Sequence, residues 1–258
     1  MDITALRTTF DRQRRIQARP DGPGCRVERD GLVVRHTGPA YAWNGVLWSG
    51  LGPQDADAAI AAQISFFRAA GHSFEWTVYG HDGPADLADR LLAAGFTAEE
   101  SETLMVAEAA ALPTAVDLPE GVVLHPVTDE AGVRMMVEVH DRAFGTDGSH
   151  LGSRMLDQLA AAPDSVAAVV ALADGVPVSS ARLDLPRDSD FAGLYGGGTV
   201  EEWRGRGLYR ALVSHRARTA LARGYRYVQV DAAPTSRPIL GRLGFAELTT
   251  MTPYVYEV

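Results

Sequence analysis

The chain has 258 residues, enough for one large domain or two medium ones, with 46% apolar and 22% charged residues, as in an ordinary globular protein. No apolar run approaches the ~18 residues of a membrane span, and no apolar core of signal-peptide length follows the first residues. The net charge of -9 argues against nonspecific nucleic-acid binding, because a polyphosphate would be repelled at long range.

Lysine is absent, so only arginines are available to meet phosphates. The single Cys25 makes neither an intrachain disulfide nor a thiolate cluster, so no metal site is expected and a reducing, cytoplasmic setting fits. It sits in the Pro/Gly-rich segment 20–27 with no obvious base beside it, which argues against a nucleophile.

In chain order, a strand is expected over 41–49 and a helix over 55–70, with Asp55 as its cap. From Ala69 to Phe96 the chain then shows a helix stop at Gly71, a β-rich run, a Pro-bearing turn, a short helix and Gly95-Phe96. A strand follows over 102–107, and the Pro-bearing stretch 112–120 reads as a linker. Beyond it a new strand starts at 121–126, helices are expected over 130–144 and 153–161, and strands over 166–173, 178–185 and 193–200. Asp174-Gly175 marks a hairpin turn. A long helix over 207–222, a strand over 227–232, a short helix over 236–243 and a last strand over 254–258 complete the chain.

The segment from Ala222 to Phe245 repeats the earlier order: helix stop at Gly224, β-rich run, Pro-bearing turn, short helix, Gly244-Phe245. Five features in one order argue for an internal duplication. The fold class is therefore a mixed-sheet α/β fold in two halves, 1–112 and 121–258.

Residues 194–212, LYGGGTVEEWRGRGLYRAL, carry the chemistry. A strand leads into Arg204-Gly205-Arg206-Gly207-Leu208-Tyr209, and a helix starts inside that turn. Glycines let backbone approach a ligand, a helix start offers free amides, and Arg204, Arg206 and Arg210 add charged donors; together they suit a pyrophosphate. A dinucleotide fingerprint fails because Arg210 stands where the third glycine belongs, and an ATP loop fails for want of lysine.

This stretch resembles the pyrophosphate-loop signature of the GNAT acetyltransferase superfamily, [QR]-x-x-G-x-[GA], with Arg204 first and Gly207 fourth; Tyr209 departs from it at the sixth position. The resemblance covers about 122–258 and, more loosely, the first half. It implies two GNAT-like halves of which the C-terminal one is complete, with acetyl-CoA as co-substrate. It implies that Gly197, Gly198, Thr199 and Val200 pair with the pantetheine arm, and that Arg204, Gly205, Arg206, Gly207, Leu208, Tyr209 and Arg210 cradle the pyrophosphate. Ser236 and Ile239 are implied to face the arm.

The thiolate-facing tyrosine that many relatives carry corresponds to Leu240, and the glutamate base that some relatives carry to the region of Gly193, so neither acid nor base carries over. A Leu240→Tyr change is expected to point a phenol at the sulfur. His140, Tyr195 and Tyr256 are the remaining catalytic candidates. The first half lacks the cradle: its loop 50–55 has no arginine. Trp43, Asn44, Trp48, Glu75 and Trp76 are its candidate pocket residues. The expected activity is acetyl transfer to a small-molecule amine, by a monomer or homodimer with no nucleic-acid or membrane partner. The alternatives are a non-catalytic acyl-CoA sensor and a protein or peptide acetyltransferase.

Overall fold

The computed structural model of the chain describes residues 2–258. Helix α1 (Ile3–Phe10) starts where the Asp2 carboxylate accepts the amides of Thr4 and Ala5, and it widens into π turns over Asp11–Ile16. There follow β1 (Arg26–Asp30), β2 (Val33–Thr37), β3 (Gly45–Ser49), α2 (Ala56–Ala70), β4 (Phe74–Tyr79), α3 (Leu87–Ala93), β5 (Thr97–Ala98) and β6 (Glu102–Glu108). After a stretch without helix or strand come β7 (Val122–Pro126), α4 (Glu130–Phe144), α5 (Ser149–Ala161), β8 (Val166–Ala173), β9 (Val176–Asp184) and β10 (Phe191–Thr199). The chain closes with α6 (Leu208–Ala222), β11 (Tyr227–Ala232), α7 (Arg237–Leu243) and β12 (Ala246–Tyr256).

Most expected elements form within a few residues of the predicted bounds. Helix α4 has both end signals, an Asp129 carboxylate on the Gly132 amide and a left-handed Gly145. Asp174 and Gly175 both have positive φ, as a two-residue hairpin requires. The N-terminal helix and the β1–β2 hairpin were not predicted. Strand β12 starts directly after Phe245, well before the expected 254.

All strands join one mixed sheet in the order β1-β2-β3-β4-β12-β6-β11-β10-β9-β8-β7, with β5 alongside β12. Each half contains the same unit: a parallel strand pair joined through a crossover helix, β3–α2–β4 and β10–α6–β11, then a short helix. The final strands are exchanged. β6 pairs β11 of the second half, while β12 pairs β6 with its first part and β4 with its second. Neither half therefore completes its sheet alone.

Strand alternation divides the side chains between two faces. On one face, α6 and α7 pack on Leu183, Leu194, Val228, Val230 and Met105, and α2 and α3 pack on Phe74, Trp76 and Tyr254. On the other, α4 and α5 cover β8, while Leu6 and Phe10 of α1 cover Leu104, Val106, Phe191 and Tyr227. Among the described residues no helix is long and apolar enough to cross a membrane.

Candidate functional site

Strands β10 and β11 pair only from Phe191 to Gly193, opposite Tyr227 to Gln229, and diverge beyond. At the same level β10 bulges against β9: Tyr195 lies opposite Arg182 and Gly198 opposite Ser180, so an extra residue is accommodated. Gly196 takes φ +56, and Gly196 and Gly197 are exposed. Three glycines in a strand are thus explained by a bulge at a strand opening. Beneath it lies a residue that sequence reasoning missed. Arg216 of α6, only 4% exposed, donates to the carbonyls of Leu212, Arg182 (3.1 Å) and Tyr195 (3.4 Å). Burial lowers it to about 10, so it stays charged at neutral pH. In the sequence it looks like one more helix arginine.

The strand then runs through Val200 and a short turn into Arg204, Gly205 (φ +75), Arg206 and Gly207 (φ +88), where α6 begins. No side chain caps α6, its first turn carries no acid, and the amides of Leu208, Tyr209 and Arg210 find no acceptor within the described residues. A Cβ at Gly205 would meet nothing within 4 Å. The arrangement offers an anion a row of amides at the positive end of a helix.

The individual side chains divide the work differently from expectation. Arg204 is spent on structure, donating to the carbonyls of Thr199 (3.1 Å) and Ala143 (2.9 Å). Arg206 stacks over Trp203, and Arg210 is exposed. Val200 and Leu208 are buried in a core with Val122, Ala171 and Val178, so each has only its backbone to present to a ligand. The Thr199 hydroxyl shares a hydrogen bond with Ser179. Tyr209, at the start of α6, lies near Ser236, whose hydroxyl donates to the Ala233 carbonyl (3.1 Å), with Ile239 half-buried beyond.

Leu240 is completely buried in the core under α6 and α7, which corrects the expectation that a tyrosine there would face a ligand. Other candidates are placed elsewhere. His140 hydrogen-bonds Thr146, and neighbouring Asp141 accepts the Gly148 amide, so the pair fastens the α4–α5 turn. Tyr256 packs with Phe74 and Phe96 in the first half, its hydroxyl accepting from Arg68, away from the β10 bulge. Trp76 is core, and the Trp43 indole donates to Glu75. Asp55 binds the Gly52 amide of its own loop rather than capping α2.

Cys25 has neighbours after all. His36 and Asp21 lie 2.9 Å apart, and the ligand atoms of all three fall within 4.8 Å of one another. Burial and the Asp21 charge push the thiol up to about 12, so it is no nucleophile.

Tyr195 does sit at the opening. Its hydroxyl accepts from the Gln229 amide at 2.9 Å and lies against Asp231. Asp231 was read only as a strand residue. Burial raises its carboxyl to about 6.

Residues 133–245 match the family model of the acetyltransferase (GNAT) family. The chain carries a GNAT domain. The solved structures of similar fold include a GCN5-related N-acetyltransferase from Kribbella flavida (TM-score 0.72, 19% identity, covering 98% of this chain and 95% of that one). A functionally unknown conserved protein from Staphylococcus epidermidis is also similar (TM-score 0.70, 16% identity, 94% and 96% covered). So is a tandem GNAT protein from the clavulanic acid biosynthesis pathway (TM-score 0.62, 16% identity, 92% and 84% covered). These likenesses extend over nearly the whole chain and so place the first half within a GNAT-like fold as well. No curated protein matches the chain in sequence.

Proposed function

We propose that the chain is an acetyl-CoA-dependent N-acetyltransferase acting on the amine of a small molecule, with its cofactor site in residues 121–258 and a tandem, cofactor-free copy in 1–112. The observation that carries this reading is the conjunction of the β10–β11 divergence, the exposed glycine bulge and the unpaired amides at the start of α6. Acetyl-CoA supplies an activated thioester and an anionic pyrophosphate. The Leu208–Arg210 amides and the Arg210 guanidinium suit the pyrophosphate, and the open backbone of Gly196 and Gly197 suits an amide-bearing arm.

Holding the reactants in a fixed geometry supplies much of the rate. With leucine at 240, no tyrosine stands ready to protonate the leaving thiolate. Arg216 offers another device. Among the described residues its guanidinium has no carboxylate partner, and it holds a positive charge beneath the bulge, which favours negative charge developing in the strand opening.

Calorimetric titration tests the reading, with one acetyl-CoA site per chain expected. Thiol release from acetyl-CoA across a panel of small amines tests the activity. Absence of acetyl-CoA binding would overturn the proposal, and tight binding without release on any amine would leave a sensor.

A further inference from the structure

The face of the sheet opposite α6 holds a group of polar side chains that cofactor binding does not use. Register puts them together: Glu102 of β6 lies level with Met251 and Tyr79, and Asp231 pairs with Leu104 one step below on the same face. Tyr195 reaches this face from β10 and Glu75 from β4. Asp231, Tyr195, Tyr79, Glu75 and Glu102 are each partly buried and keep some solvent contact, so together they line a shallow polar recess on this face. It opens beside the strand divergence.

Two further observations point to a polar occupant. Gln229, 2% exposed, stands next to Asp231 on this face; its amide nitrogen is bound to Tyr195 and its carbonyl oxygen has no partner among the described residues. A buried orphan acceptor is costly and calls for a donor. Arg14, on the π turns packed over this face, has a buried Nε without a partner among the described residues and sits close enough to bias Asp231 and Tyr195. Three carboxyls (Asp231, Glu102 and Glu75) thus share this face with the Arg14 guanidinium near Asp231, while Arg15 over Tyr79 is already paired with Asp11 and Asp82.

Resting on the acetyltransferase reading above, we infer that the acceptor is a primary amine bound as its ammonium cation in this recess, and that Asp231 takes its proton. The ammonium donates to the Asp231 carboxylate and the Gln229 oxygen. Asp231 removes one proton, and the freed nitrogen pair forms the C–N bond to the thioester carbon. The C–S bond breaks, and the second nitrogen proton leaves with the thiolate as free CoA thiol, while Asp231 returns its proton to solvent. Product amide, CoA thiol and one proton balance the ammonium and thioester consumed.

The charges facing Asp231 are those of Arg14 on the N-terminal π turns, Glu75 on β4 and Glu102 on β6, with the phenols of Tyr195 and Tyr79. Arg182 and Asp184 on β9 pair with each other. Glu102, raised to about 7 by burial and by the Asp231 charge, ionises after it. The base is therefore competent above about pH 6, where a carboxylate can accept a proton near neutrality.

The test uses the full-length chain and its Asp231→Asn and Glu102→Gln variants, with acetyl-CoA and primary amines matched in size but differing in net charge. Expected is turnover of cationic amines at least tenfold above amines that also carry a carboxylate. Asp231→Asn should lower kcat/KM at least a hundredfold, abolish the ascending limb near pH 6 and leave the acetyl-CoA Kd within threefold. Wild-type kcat/KM and pH profile in Asp231→Asn, or preference for anionic amines, would overturn the inference. So would acetyl-CoA binding with no amine in the panel consumed, although the cofactor site would stand. Loss of acetyl-CoA binding from the wild-type chain would instead sink the parent reading.

Discussion

The two halves place the same strand opening in opposite chemical surroundings. In each, a short parallel pair ends, at Val46 opposite Trp76 and at Gly193 opposite Gln229, and the upstream strand bulges just beyond. In the first half the diverging ends are clamped by Arg15. It donates to Leu47 on β3 (2.9 Å), stacks over Tyr79 of β4 and pairs with Asp82 and Asp11, at 2% exposure. The loop before α2 has no arginine, Asp55 folds onto it, and Ala56 at the helix start is wholly buried. In the second half the bulge is exposed, the helix start is bare, and the supporting Arg216 bonds only carbonyls. One architecture thus serves as a sealed joint or as a binding site, according to whether an internal charge fills it.

The sharpest way to break this comparison is at the α6 start. Gly207→Trp places a bulky side chain at φ +88 among the amides, at a position where the side chain is strained. Acetyl-CoA binding should fall at least a hundredfold, while circular dichroism stays that of the folded chain. Unchanged affinity in a folded variant would move the cradle elsewhere. Two sites per chain in wild-type calorimetry would undo the contrast between the halves.

Next comes the seal itself. Arg15→Met removes the guanidinium and leaves the buried Asp82 carboxylate unpaired, a change that costs about 3 to 5 kcal/mol. Denaturant melts should show that loss with the binding stoichiometry still one. A stability change below about 1 kcal/mol would mean that the clamp contributes little net energy, as some buried pairs do.

What the sequence made legible follows from local physics. The α4 bounds were readable because Asp129 and Gly145 act within one turn, and the loop because two glycines and a helix start are contiguous. The exchange of β6 and β12 was not readable, since nothing in Glu102–Glu108 specifies β11 as a neighbour rather than an own-half strand. Asp231, Arg216 and Arg15 were missed for the same reason. Each is one polar residue in an ordinary strand or helix, and only long-range pairing supplies its partners. Leu240 was misjudged because the short helix was read by analogy with relatives, whereas its burial follows from packing.

Leu240 also sharpens the likeness of the halves. It stands four residues before the glycine of Gly244-Phe245, as Leu91 stands before Gly95-Phe96, and both are fully buried. Leu240→Tyr and Leu91→Tyr should each overpack a core, costing about 1 to 3 kcal/mol. Thermal melts of the two variants should fall together. A Leu240→Tyr protein as stable as wild type would show room beneath α7.

The smallest effect concerns the recess. Just past the closing pair, this face carries Thr77 in the first half and Asp231 in the second. A carboxyl at about 6 in the folded chain and ~3.9 unfolded holds its proton more tightly when folded. Its contribution to stability is therefore full below about pH 4 and is lost as pH rises to about 6, after which it is constant. Two units correspond to about 3 kcal/mol at most, and solvent contact reduces this to about 1 to 2 kcal/mol. Asp231→Asn should accordingly gain about that much over wild type at pH 8 and almost nothing at pH 4, measured as paired urea melts. A gain for Asp231→Asn that is equal at both pH values would mean that the carboxyl is not held in its neutral form by the fold, and the recess would lose the desolvated base assigned to it.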